Sequence, residues 1–277
     1  MENSIVFDSH IHVGVTPKEY LFGEDLIKKM DKNNQDCSLI FPMMRGFEFS
    51  PARFNLYSGN EYIDNLTTAN KGRLYGIMGI DPRFIKNSLD KKHDRPISSP
   101  VLEEVDYFLN KPNFYGVKLH PTLHNFSIDD PVLVFPLLDK IIEIQKKTKK
   151  KILILVHCAG DFVNNTPEKL AVIAEKYKDL FFAASHIGDF WGMDAFLNPN
   201  NNMILKNNNI FIDYTVFNNE PIFIYIYKTF GPSRIFLGSN EPFGNIEIKM
   251  EFIKRVDIPE RDKKIILGSN LFKFLNN

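Results

Sequence analysis

The sequence predicts a (β/α)8 TIM barrel in one domain, residues 1–277. Three observations predict it. Eight short apolar, β-branched runs recur along the whole chain, stretches with helical spacing lie between them, and no shift of composition divides the chain. Alternating strands and helices imply right-handed crossovers and a parallel sheet. Eight such units close a barrel at a length these barrels often reach. An open doubly wound sheet would normally show fewer strands, and its nucleotide-binding form carries G-x-G-x-x-G at the first turn. Here the first turn is His-rich and lacks that pattern.

The expected strands are Ser4–His12, Cys37–Met44, Leu74–Asp81, Tyr115–Pro121, Lys151–Cys158, Phe181–Ile187, Ile210–Val216 and Ile235–Asn240. The clearest helix is Thr166–Tyr177. Leu170, Ile173, Ala174 and Tyr177 recur at i, i+3, i+4 and i+7, Thr166 suits the N-cap and Pro167 the first helical position. Further helices are expected near Glu24–Asn33, Glu61–Asn70, Pro100–Leu109, Val132–Lys147, Pro221–Phe230, Ile246–Arg255 and Asp262–Phe274. Asp81–Pro100 is the longest polar connection and reads as a surface loop, with a lid over the site as the alternative.

Lys+Arg and Asp+Glu balance at 34 each, which gives no basic surface for a nucleic acid or an anionic membrane. The basic run Lys146–Lys151 reads as a solvated helix end. Two cysteines in 277 residues make no disulfide framework and point to a reducing compartment. No signal peptide and no apolar run of about 20 residues is seen, so a cytoplasmic protein is expected.

A parallel barrel builds its site at the C-terminal ends of its strands. The first run ends with Asp8, His10 and His12, which alternation would place on one face. The fourth carries Lys118 and His120, the fifth ends LVHCAG with His157, the sixth ASHIG with His186, and the eighth FLGSNEPFG with Asn240 and Glu241. Five of the seven histidines fall at these ends; His93 and His124 do not. Neutral imidazoles bind Zn2+ and similar ions. His10 and His12 could reach one ion, with His157 as a third ligand and water in the open position, its pKa lowered by the metal. His186 would then act as acid or base.

FDSHIHVG, LVHCAG, ASHIG and FLGSNEPFG, in that order, resemble the amidohydrolase superfamily, in particular its amidohydrolase-related branch with aminocarboxymuconate-semialdehyde decarboxylase-like proteins. The ending IILGSNLFKFL is similar to that branch's closing helix. The resemblance implies a (β/α)8 barrel, one or two divalent metals, and hydrolysis or non-oxidative decarboxylation of small molecules. It implies metal ligation by His10, His12 and His157, with His186 as the catalytic histidine. The family's strand-eight aspartate, which ligates the metal and takes the water proton, is here Asn240. An asparagine has no basic carboxylate. Glu241 is next door, on the opposite face by alternation.

The expected function is hydrolysis of a small, perhaps carboxylated, molecule by metal-activated water, with one divalent ion, zinc by default. A decarboxylase or other lyase, and a ligand-binding barrel without catalysis, are the alternatives. Lys118 is a further catalytic candidate, because some members of the superfamily carbamylate a strand-four lysine to bridge two metals; an interior lysine paired with Asp8 is the plain alternative. His120, Arg45, Arg83, Trp191 and Glu241 are candidate substrate-binding residues, the arginines as bidentate carboxylate clamps. Cys158 faces away from His157 by alternation and reads as a core residue. The expected partner is a small molecule, with a homodimer as a further possibility.

Overall fold

Strands of a closed parallel barrel need apolar residues on both faces, one set for the interior and one for the surrounding helices. The computed structural model describes residues 5–16, 19–44, 52–88, 100–159, 163–186, 206–215 and 218–276 and shows both sets. Its strands are β1 (Phe7–Val15), β2 (Tyr20–Leu21), β3 (Cys37–Pro42), β4 (Leu74–Gly79), β5 (Phe114–Leu119), β6 (Leu153–His157), β7 (Phe181–Ser185), β8 (Ile210–Tyr214) and β9 (Ile235–Leu237). They follow the order β2-β1-β3-β4-β5-β6-β7-β8-β9. Every neighbouring pair is parallel except the short hairpin β1–β2. The sheet closes where Ile11 bridges Glu241. There the His12 N–H donates to the Glu241 carbonyl at 2.9 Å and the Asn240 N–H to the His10 carbonyl at 3.0 Å. The eight expected strands are therefore β1 and β3 to β9, and the fold is the expected (β/α)8 barrel.

Leu39, Phe41, Ile77, Leu153, Leu155, Ala183 and Phe236 fill the interior, and Leu271 and Phe274 plug its lower end. Ile40, Ile154, Val156, Phe182 and Ile212 face outward, in the larger core shared with the helices. Those helices are α1 (Gly23–Lys32), α2 (Ala52–Ala69), α3 (Pro100–Leu109), α4 (Pro121–His124), α5 (Phe135–Thr148), α6 (Pro167–Lys176), α7 (Glu220–Phe230), α8 (Ile246–Arg255), α9 (Glu260–Lys264) and α10 (Asn270–Asn276). In α6 the Thr166 hydroxyl caps Lys169 N–H, and Leu170, Ile173 and Ala174 are buried, as their spacing requires. Among the described residues no helix is long and apolar enough to cross a membrane.

Three expectations need correction. The helix expected over Asp262–Phe274 is broken into α9, a wide turn over Ile265–Ser269, and α10. Gly268 lies so close to the Phe7 backbone that any side chain there would collide with it. Asn270 then reaches the Pro232 and Ile235 carbonyls at 3.0 and 2.6 Å. The helix expected from Glu61 starts earlier, at Ala52. The third correction bears on the site. Asp8 pairs with Ser38 and Ile11 with Ile40, so β1 holds one extra residue, a bulge. Phe7 faces the interior below it, His10 and His12 face the interior above it, and Asp8 turns outward.

Candidate active site

Each site residue stands at the upper end of a strand, and five imidazoles form a continuous arc there. His12 Nε2 lies 3.2 Å from His10 Nε2. The His10 ring is 4.9 Å from His186, His186 is 4.7 Å from His157 edge to face, and His157 stacks on His120 at 3.7 Å and 18°. All five residues are buried. Phe41 packs against the rings of His10 and His12, and Phe243 against that of His12.

The bonding around the arc sets where its protons sit. The His10 Nδ1–H donates to Asp213 Oδ2 at 2.5 Å, which leaves a lone pair on Nε2. His12 Nε2 then faces two acceptors, His10 Nε2 and Asn240 Oδ1, each at 3.2 Å, so it carries its proton. His120 Nδ1 accepts from Leu123 N–H at 3.2 Å, which puts the proton of the neutral ring on Nε2. His186 Nδ1 is bonded to the Thr215 hydroxyl at 2.5 Å. Asp213 is fixed in turn by the Ser9 hydroxyl at 2.5 Å. Gly238 leaves the space this needs, because a side chain there would meet Asp213, Thr215 and His10.

Burial pushes His10, His120 and His186 well below the usual histidine range, and the Lys118 charge adds to this in each case. Burial likewise brings Lys118 down to about 8, against the attraction of Asp213. His10, His120 and His186 are therefore neutral at pH 7, the form that binds metals. Burial raises Asp213 as well, with the Ser9 hydrogen bond and Lys118 opposing. His186 and Asn240 both have left-handed backbone, φ +70° and +62°, a conformation that collects at functional sites.

Other expected residues are placed differently. Lys118 is wholly buried, bonded to the Ser185 hydroxyl at 3.4 Å and 5.3 Å from the Phe41 ring centre, not paired with Asp8. Asp8 Oδ1 instead accepts from the His10 and Ser239 N–H groups at 2.9 Å each, tying β1 to the chain after β9. Burial raises Asp8 to about 7. The Glu241 carboxylate accepts from Lys29 of α1 at 2.6 Å, on the helix side of the barrel, so it is not a pocket residue. The Arg83 guanidinium forms three hydrogen bonds to Asp81, at 3.0, 3.2 and 2.7 Å, rather than offering an unengaged clamp. Arg45 and Trp191 lie outside the described residues, as does most of the connection considered as a lid. Cys158 is buried with its thiol pushed up to about 12, which fits a core residue. Asp213, Thr215 and Ser185 belong to the site and were not expected. The signal for Asp213 was an acidic residue inside the apolar strand IFIDY.

Among the described residues, no three His, Cys, Asp or Glu side chains converge as a ready metal cage. The donor chemistry nevertheless fits an ion at His10 and His12, which would take the place of the proton on His12 Nε2. Their Nε2 atoms are 3.2 Å apart, which two metal–nitrogen bonds of about 2.0–2.1 Å span at roughly 100°. His157 is the nearest expected addition, two ring contacts along the arc.

The described residues thus form a closed parallel barrel with an arc of five buried histidines at its upper rim. No protein-family model and no curated protein matches the chain. Solved structures do. The chain is similar to 5-carboxyvanillate decarboxylase from Sphingomonas paucimobilis, with TM-score 0.73, 12% identity and 99% of each chain covered. It is similar to dihydroxybenzoic acid decarboxylase from a Polaromonas species, solved with manganese and the inhibitor 2-nitroresorcinol, with TM-score 0.72, 12% identity, and 98% and 97% of the two chains covered. A Staphylococcus aureus chain named as a candidate amidohydrolase matches with TM-score 0.71, 16% identity, and 98% and 99% covered. The likeness shows that this chain shares the barrel fold of those structures over nearly its full length.

Proposed function

We propose that this protein is a metal-dependent enzyme that removes CO2 without oxidation from a small, unsaturated or aromatic carboxylic acid. One observation carries the choice of decarboxylation over the hydrolysis expected from sequence. The end of the eighth barrel strand offers no inward carboxylate to take a proton from water: Asn240 faces His12, and Glu241 is bonded to Lys29. Decarboxylation has no need of that base. The bond from carbon to carboxylate breaks, its electron pair stays on carbon, CO2 leaves, and the carbon takes one proton. Two of the similar structures are decarboxylases of carboxylated aromatics by name, which supports the reading.

The residues divide the work. His10, His12 and His157 would hold a divalent ion, zinc or manganese, and that ion would supply positive charge for the substrate's oxygens. Asp213 holds the His10 ring so that Nε2 presents its lone pair. His120 presents Nε2–H as a donor, stacked on His157. Buried Lys118 contributes a second positive charge below the site. His186, held by Thr215 between His10 and His157, would take up a proton from solvent and pass it to the carbon as CO2 leaves, returning to the neutral ring.

The test is a substrate panel with protein supplied with Zn2+ or Mn2+. Hydroxybenzoates and other unsaturated acids are followed by CO2 release, and amides, esters and lactones by hydrolysis. The expected result is CO2 release that vanishes with chelator. Turnover of the second group alone would replace decarboxylation by hydrolysis.

A further inference from the structure

Among the described residues, the inner face of the rim is poor in negative charge. Asp213 is the acidic residue in contact with the arc, and it is engaged by Ser9 and His10 Nδ1. Asp8 faces outward, Glu241 is paired with Lys29, and Asp81 with Arg83. Asn240 stands beside His12 with a neutral amide. Lys118, wholly buried, already balances Asp213. A divalent ion at His10 and His12 would therefore bring two positive charges into a buried site whose described residues offer no spare carboxylate. A buried charge without a counter-charge is costly.

We propose that Asn240 makes metal and anion binding interdependent: the ion is held firmly only together with an oxygen anion, a carboxylate, that supplies the missing negative charge. The inference rests on the metal-dependent reading above and adds to it that the substrate completes the metal site. Coupling between two ligands is reciprocal, so the anion must tighten the metal as much as the metal tightens the anion. An aspartate at position 240 would supply the charge permanently and remove the coupling. The left-handed backbone there is one that Asp and Asn both tolerate.

The experiment measures Zn2+ affinity by competition with a chromophoric chelator, for the full chain and for Asn240→Asp. It is run alone, with saturating benzoate, and with saturating bicarbonate. The expected result is that an anion tightens Zn2+ about tenfold or more in the parent protein, and less than about threefold in Asn240→Asp, which binds Zn2+ tightly unaided. The arm that shows the effect identifies the anion as organic acid or bicarbonate. Equal Zn2+ affinity with and without either anion would overturn the proposal, as would coupling of the same size in Asn240→Asp. Failure of both proteins to bind Zn2+ in every arm would overturn the metal reading itself, a separate outcome.

Discussion

The two ends of the barrel bury polar side chains in opposite ways. At the lower end several buried polar side chains are answered by backbone. Asn209 donates to the Ala174, Tyr177 and Leu180 carbonyls at 3.1, 3.2 and 2.9 Å. The Lys150 ammonium sits among the Leu109, Lys111 and Phe114 carbonyls at 2.6, 2.6 and 3.1 Å, and Arg234 reaches the Ile210 and Asn207 carbonyls. These groups stitch loop to helix end. At the upper end the polar side chains bond mainly to one another: Asp213 to His10, His10 to His12, His12 to Asn240, Thr215 to His186. Buried polar groups satisfied by backbone hold a fold together, whereas an imidazole network kept neutral is poised for a ligand. The difference matches the division of a barrel into a stability face and a catalytic face.

Substitutions at the two ends should therefore separate folding from chemistry. The largest effect is expected at the top. His186→Asn should lower kcat by about 10²–10⁴-fold while the melting temperature moves by no more than a few degrees, checked by steady-state kinetics and thermal unfolding. A comparable loss of stability would make His186 a structural residue and break the contrast. At the bottom, Asn209→Ala leaves three carbonyls without their donor. It should cost about 2–3 kcal/mol in denaturant unfolding and leave kcat unchanged.

Acid sharpens the contrast at the rim. His124 is buried, both its ring nitrogens lack hydrogen bonds, and burial holds its pKa at about 4 against an ordinary 6.5. Between those values the unfolded chain takes up a proton that the folded chain refuses, so stability is lost as pH falls from 6.5 toward 4. His124→Leu should flatten that limb by about 2–3 kcal/mol, measured by urea unfolding across the pH range. An unchanged limb would mean that other groups govern acid unfolding. The smallest effect is expected for Asp213→Asn. It keeps the shape but loses the carboxylate behind His10, and should weaken metal affinity about 10–100-fold.

Much of this was legible in the sequence, for reasons that also explain what was not. The strands announce themselves through short apolar runs, and His10, His12, His120, His157 and His186 fall at their ends because only there can a barrel expose polar groups to a pocket. The bulge in β1 leaves no compositional mark, since it depends on pairing with β3, and it alone reversed the expected facing of Asp8. Glu241 and Arg83 were drawn off by partners that only the fold supplies, Lys29 from α1 and Asp81 across one residue. Asp213 was visible as an acid in an apolar strand, but its meaning required β8 to lie beside the His10 ring.

The proposed metal centre lies where the arc begins, at His10 and His12. Titration of the full chain with Zn2+ and Mn2+ in the presence of benzoate, read by metal analysis after gel filtration, tests it most directly. Close to one ion per chain is expected, and its loss in His12→Ala with folding intact by circular dichroism. Retention of the ion by that variant, or none bound by the parent protein, would contradict it.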